Sequence, residues 1–461
     1  MADNRDHWAS RIGFILAAAG SAVGLGNLWK FPYITWHNNG GAFVLVYLVC
    51  VLIIGLPIMM AEILIGRRTQ KSPVPAFEEL GNRGWGFVGL FGVLTGFVIL
   101  GYYSVIAGWS ILSFWQCINW SISGYVAPPE GAFGEFLADA PSQILLSLTF
   151  LVATAFIVWR GVSKGIEKAA KFLMPVLFAI LAYLVIRVLF FPGIGQTFEF
   201  LFRPNFSELP TTGVLEALGH AFFTLSLGMG VMITYGSYMR KSESIVRSAG
   251  TVVFLDTIIA LLACVIMYTI IFSVPGMEDS ISASAIGMLF MTLPRLFYTE
   301  LSGGVLIGPL FYILVAFAAL TSTISLLEVI VSFFIDKLKM KRHSATVLST
   351  CIVIFCSIYS ALSLGAVGFL SEFEIFGDKP GVLSTLDHLA ANWMLPLGGL
   401  FTTIFVGWFV SRKLALEQLR MVDKTGRPTF YFNLWRFFIR FIAPAAIIAV
   451  IIAVILGKDF S

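Results

Sequence analysis

Eleven apolar runs, each longer than about 18 residues, recur along this 461-residue chain, and no other feature limits its fold as much. Inside hydrocarbon a backbone must satisfy its own N–H and C=O groups, which leaves α-helices and closed β-barrels. The runs show no apolar/polar alternation and are too long for barrel strands, so they read as helices. They cover approximately 12–35, 41–66, 86–118, 142–160, 166–190, 214–239, 248–274, 303–336, 343–365, 386–411 and 430–456. A composition of 58% hydrophobic and 12% charged residues, with a mean hydropathy of +0.89, excludes an ordinary soluble domain. The expected fold is an all-α polytopic membrane protein of 11 spans in one domain.

Charge placement orients the spans. With the N-terminus inside, the cytoplasmic segments hold 23 of the 30 basic residues and the external ones four, as the positive-inside rule requires. An odd span count then puts the N-terminus in the cytoplasm and the C-terminus outside, in a cell (plasma or inner) membrane. Because the net charge of +4 reflects this topology, it gives no reason to invoke nucleic acid. Residues 1–11 are polar and the run after them is long and Gly-broken, unlike a cleaved signal peptide. The five cysteines lie in or at the ends of apolar runs without metal-ligand spacing, and are expected to be packing residues.

The first run carries Gly20, Gly24 and Gly26 within seven residues. Each Gly costs about 1 kcal/mol relative to Ala inside a helix, so this span is built to break. A break at membrane depth frees backbone groups, tolerated only where they line a cavity or meet a ligand. Free carbonyls hold cations and half-helix N-termini favour anions, which suits a salt-like solute. Taken alone, the residues fit a small-residue helix-packing face equally well. A second break, Gly228-Met229-Gly230, sits in span 6, five spans later. An odd offset means that the copies run in opposite directions. Inverted repeats of five spans each (12–190 and 214–411) plus one extra helix (430–456) follow, with the solute site between the breaks.

Seven motifs now carry a resemblance: Ala22-Val-Gly-Leu-Gly-Asn-Leu-Trp-Lys-Phe-Pro32, Asn39-Gly-Gly-Ala-Phe43, Glu62-Ile-Leu-Ile-Gly66, Gly101-Tyr-Tyr103, Gly161-Val-Ser-Lys-Gly-Ile-Glu-Lys168, Phe222-Phe-Thr-Leu-Ser-Leu-Gly228 and Leu320-Thr-Ser322. In this order the chain resembles the neurotransmitter:sodium symporter family over essentially its whole length, in its bacterial 11-span branch. The resemblance implies a leucine-transporter-type fold and sodium-driven, alternating-access uptake of amino acids or related amines.

It also implies residue roles. A first sodium site would use Ala22, Asn27, Thr224 and Asp256, with the substrate carboxylate as fifth ligand. A second would use Gly20, Val23, Ala318, Thr321 and Ser322, although the two hydroxyls could equally bond back to their own helix. Amine transporters of the family carry an Asp where this chain has Gly24, so the substrate should be an amino acid. Its polar ends would meet the broken backbones at Ala22, Gly24, Leu25 and Gly26 and at Thr224, Leu227 and Gly228, with Tyr103 donating to the carboxylate. Ile99, Phe223, Ser226, Met229 and Leu326 would line an uncharged side-chain pocket, suited to neutral hydrophobic amino acids. Chloride-dependent relatives place a Ser where this chain has Ala260, and a Gln where it has His220. Asp256 is expected to supply the missing negative charge, so no chloride is expected and proton antiport is plausible. Lys30 and Asp387 would form the outer gate, with Phe223 over Tyr103 as the lid. Arg5 and Trp8 would close against Asp336 near Tyr238 on the inner side. Glu62 would brace both breaks, and Gly165 and Pro175 match a pattern in which span 5 can unwind locally, giving water a path to the second sodium site from the cytoplasm.

No Ser/His/Asp, metal-ligand or phosphate-loop constellation points to an enzyme. The expected function is sodium-coupled import of neutral hydrophobic (aliphatic or aromatic) L-amino acids. A transporter of another small zwitterion such as a β-amino acid, or a non-transporting amino-acid sensor, is the alternative. The partners expected are the amino acid, sodium and the bilayer, with no obligate protein partner.

Overall fold

The computed structural model describes residues 6–129, 131–274, 285–301, 303–376, 379–423 and 425–459. Among them, nine helices are long and apolar enough to cross a bilayer: Gly41–Thr69, Arg83–Ser123, Ala140–Trp159, Val162–Val188, Ile245–Phe272, Gly304–Leu338, Arg342–Leu362, Val382–Phe409 and Phe430–Ile455. These are spans 2–5 and 7–11. Span 1 is a bent pair, Arg11–Ala22 and Gly26–His37, with 48° between its halves. Span 6 is a second pair, Gly213–Thr224 and Val231–Ser237, parted by residues 225–230. Nine spans and the bent first one thus fall in the expected order, and two shorter helices stand where the sixth is expected.

Span 3 is 41 residues long. At about 1.5 Å per residue that is roughly 60 Å, twice a hydrocarbon core, so span 3 projects beyond the hydrocarbon, tilts, or both. Span 8 lies along it and both pack on spans 4 and 9. A single cluster of buried apolar residues runs from Trp8 to Val454, so the spans share one core.

Glycines let the broken spans approach their neighbours. A Cβ at Gly24 would lie 2.6 Å from Ser322 Oγ of span 8 and 3.0 Å from the Tyr103 hydroxyl of span 3. In span 6 the break is made by three left-handed residues, Ser226, Gly228 and Gly230, with φ of 53°, 78° and 76°. A Cβ at Gly228 would meet the Leu395 carbonyl of span 10 at 2.4 Å.

In this conformation span 5 is helical throughout: Val162–Ile166 forms a wide turn and Glu167–Val188 runs on through Pro175. Gly165 also serves packing, since its Cβ would lie 2.1 Å from the Ile157 carbonyl. One expectation needs correction. Cys351 is exposed on span 9 rather than packed, and Cys356 is half-buried with its sulfur against Gly101 of span 3; Cys50, Cys117 and Cys264 are buried.

Candidate functional site

Between the two breaks lies a cavity of about 30 Å³, lined by Ser21, Ala22, Gly24, Gly26, Ile99, Tyr103, Phe223, Thr224, Ser226, Met229, Ser322, Ser325 and Leu326. Ten of the thirteen residues expected around a solute are in this lining. Leu25, Leu227 and Gly228 are not. Leu25 instead lines a larger outer vestibule, Leu227 is fully buried, and Gly228 faces Glu62. The lining holds no ionisable carboxylate, amine, guanidinium or imidazole. Ser21 and Ser325 were not foreseen. Ser21 Oγ donates to Ser325 Oγ at 2.6 Å and lies 3.2 Å from Ser226 Oγ, while Ser226 Oγ donates to the Ser21 carbonyl at 3.0 Å. This serine cluster stitches spans 1, 6 and 8 together where the first two break.

The Tyr103 hydroxyl accepts from the Leu25 N–H at 3.0 Å, which leaves its own proton available to a ligand. Glu62 Oε1 accepts from the Gly228 N–H at 2.8 Å, and its second oxygen is buried without a hydrogen-bond partner. Glu62 therefore holds the break of span 6; no hydrogen bond joins it to that of span 1.

The first proposed cation set converges. Asp256 is fully buried; its Oδ1 accepts from Asn27 Nδ2 at 2.7 Å and from Thr224 Oγ1 at 2.9 Å. Asn27 Oδ1 meanwhile caps the freed Gly24 N–H at 3.0 Å. Asp256 Oδ2 is buried and has no hydrogen-bond partner. A buried carboxylate oxygen without a donor is costly unless a cation or proton meets it, so these oxygens fit a hard cation. His220, one turn before Thr224, is buried against Phe31 and Tyr47, and neither ring nitrogen has a hydrogen-bond partner.

In the second set, Thr321 Oγ1 donates to the Ala318 carbonyl at 3.0 Å, and Ser322 Oγ lies 3.3 Å from the carbonyls of Ala318 and Ser21. The hydroxyls do bond back to their helix. A hydroxyl that donates still keeps lone pairs for a cation, so the two readings are compatible. Spans 1 and 8 touch here: a Cβ at Gly20 would lie 3.1 Å from Thr321 Cβ. Val23 is the C-cap of the first half-helix, where helical bonding stops.

The vestibule, about 340 Å³, shares Gly26, Tyr103 and Phe223 with the central cavity and is also lined by Lys30 and Asp387. Those two charges do not pair: Lys30 Nζ sits 5.3 Å from the Phe223 ring centroid instead. A compact ammonium over an aromatic face gains a cation–π contact.

The opposite end is closed. Trp8 is fully buried; its backbone N–H donates to the Tyr238 carbonyl at 3.1 Å and its indole N–H to the Tyr235 carbonyl at 3.0 Å. Asp336 accepts from the Ser72 N–H at 2.6 Å. Arg5 lies outside the described residues. A buried ion pair was missed: Arg342 forks onto Glu328 at 2.8 and 2.9 Å, and the Tyr238 hydroxyl donates to the same carboxylate at 2.6 Å. Glu328 interrupts the apolar run of span 8, the signal already used for Asp256. Glu167 adds a second anchor, accepting from the Ala9 N–H at 2.6 Å and from Ser10 Oγ at 2.9 Å.

Two interrupted helices crossing at mid-membrane, with buried oxygen donors at their breaks and unequal closure at the two ends, define a secondary transporter. The chain belongs to the sodium:neurotransmitter symporter family, whose model matches residues 5–124 and 139–459. It is 36% identical to the uncharacterized sodium-dependent transporter YhdH of Bacillus subtilis, over 97% of each chain. It is 32% identical to an uncharacterized sodium-dependent transporter of Haemophilus influenzae, over 97% of this chain and 98% of that one. The crystal structure of MhsT in complex with L-phenylalanine superposes with a TM-score of 0.87, at 40% identity, over 98% of this chain and all of that one. The protein is thus a sodium-dependent membrane symporter with the leucine-transporter-type fold, and not an enzyme.

Proposed function

We propose that this symporter imports neutral, hydrophobic L-amino acids with sodium by alternating access. The observation that carries the reading is the cavity between the breaks. Its lining combines backbone of the two breaks and hydroxyls with Ile99, Phe223, Met229 and Leu326, and holds no charge for a charged side chain. The L-phenylalanine held by MhsT at 40% identity agrees with it. In this reading the substrate ammonium and carboxylate meet the breaks, Tyr103 donates to the carboxylate, and Ala22, Asn27, Thr224 and Asp256 hold one sodium. Gly20, Val23, Ala318, Thr321 and Ser322 hold the other and tie span 1 to span 8. Asp256 carries the negative charge, so chloride is not required. Spans 1–5 and 6–10, within 12–190 and 214–411, act as inverted repeats, and span 11 is added to them. Lys30 and Asp387 draw together over a bound substrate; the Trp8 plug with Arg5, Asp336 and Tyr238 opens to release it. The Trp8 end faces the cytoplasm, which makes the present conformation outward-facing.

The 30 Å³ cavity is about the size that holds a few waters. A bulky amino acid therefore requires Phe223 and the unbranched Met229 to move aside, joining the cavity to the vestibule. The second reading, a small zwitterion such as a β-amino acid, needs less of that movement. The deciding experiment is uptake of a radiolabelled panel into proteoliposomes under an inward sodium or an equal potassium gradient, with chloride or gluconate. Sodium-dependent accumulation competed best by bulky apolar amino acids, unchanged in gluconate, supports the proposal. Competition by small zwitterions alone supports the second reading. Collapse in gluconate removes chloride independence.

A further inference from the structure

An open cleft of about 290 Å³ lies between span 11 and the first residue of the short helix Arg412–Leu419 that follows span 10, far in sequence from the transport site. Its lining is Arg412, Asn433, Arg436, Phe437, Arg440 and Phe441, three guanidinium groups and no carboxylate. Two of the arginines are held in place. Arg412 Nη2 donates to Asn433 Oδ1 at 3.0 Å. Arg440 Nε donates to the Gly407 carbonyl at 2.7 Å, with its guanidinium 4.8 Å from the Trp408 ring centroid. The third, Arg436, has a buried Nη1 without a hydrogen-bond partner. Arg436 and Arg440 are also one helical turn apart, a like-charge spacing that destabilises a helix on its own. Three guanidinium groups lining one cleft with no carboxylate in its lining suit an anion with several oxygens, and a guanidinium matches phosphate in shape.

We propose that this cleft binds the phosphate of an anionic membrane phospholipid. Depth and surroundings favour a lipid over a free anion. Span 11 has 26 residues, about 39 Å at 1.5 Å per residue, so it overhangs a hydrocarbon core of about 30 Å. Arg436 lies six residues from its first residue, roughly 9 Å along, at the boundary between headgroups and chains. Trp408 and Phe441, whose rings meet at 5.7 Å, are 53% and 48% exposed beside the arginines, an apolar rim for acyl chains. Basic pockets between helices on the cytoplasmic side are known headgroup sites. Only the naming of the inner leaflet rests on the orientation proposed above.

Native mass spectrometry of the full-length protein in neutral detergent tests this, with phosphatidylglycerol or phosphatidylcholine added and with or without millimolar inorganic phosphate. The expected result is at least tenfold preferential retention of one phosphatidylglycerol, lost in Arg436→Gln and in Arg412→Gln/Arg440→Gln, and insensitive to inorganic phosphate. Equal retention of both lipids, or undiminished retention in the variants, overturns the proposal. Displacement by inorganic phosphate assigns the cleft to a free anion and overturns the lipid. If the variants do not fold, the wild-type comparison of the two lipids still decides. None of these outcomes depends on uptake, so failure here leaves the transport proposal standing.

Discussion

Gly24 and Asp256 show how much one position can hold. Adding a methyl group at Gly24 places carbon 2.6 Å from Ser322 Oγ and 3.0 Å from the Tyr103 hydroxyl. Both neighbours are fixed on long helices, so Gly24→Ala must displace span 1 where its backbone is meant to face the solute. We expect uptake in proteoliposomes to fall at least tenfold while the variant stays monodisperse on size-exclusion chromatography; unchanged uptake would place the solute elsewhere. Asp256→Asn keeps the donor-facing oxygen and removes the charge. In the proposed site its half-saturating sodium concentration should rise about tenfold, equivalent to roughly 1.4 kcal/mol. An unaltered sodium titration would show that Asp256 does not face the ion. Asp256 could be picked out from sequence because a carboxylate in an apolar run is functional by default. Glu328 carried the same mark and was missed, since its partner Arg342 stands at the start of the next span and looks like an ordinary helix-end charge.

At the level of elements, the spans were readable because hydrocarbon thickness imposes a length, and the breaks because glycine is costly in a helix. How the elements lock could not be read, because locking depends on side chains that converge only in the fold. The inner plug is such a lock: Trp8 bonds the end of span 6, Tyr238 bonds Glu328 of span 8, and Glu328 pairs with Arg342 of span 9. Removing one member of a buried pair strands the other, typically at about 3–5 kcal/mol. Glu328→Gln should therefore lower the melting temperature measured in detergent, and the double variant with Arg342→Gln should recover part of the loss. A double variant as unstable as the sum of the singles would mean that the two residues do not act together. Gly165 of span 5 is a second case: its close approach to the Ile157 carbonyl depends on a neighbouring helix that the sequence does not place.

Across the whole molecule the two ends differ in chemistry, and that difference can be tested. Trp8 and Asp6 lie with Tyr238 and Arg342 at the closed end. Asp459, beyond span 11, lies at the other end, where it takes a hydrogen bond from Asn392 at 2.7 Å and pairs at 2.7 Å with Lys379 of the vestibule. The termini are thus on opposite faces, as an odd number of crossings demands. In the orientation proposed above, the excess of Lys and Arg on the segments that share the N-terminal face puts that face in the cytoplasm. His7 and Lys458 are both exposed and make suitable probes. In a background with Cys351 and Cys356 changed to serine, Lys458→Cys should react with a membrane-impermeant maleimide on intact cells. His7→Cys should react only after permeabilisation. The reverse pattern would invert the protein in the membrane and with it the direction in which the vestibule opens. Labelling of both positions on intact cells would mean that the termini share a face, which an odd number of crossings does not allow.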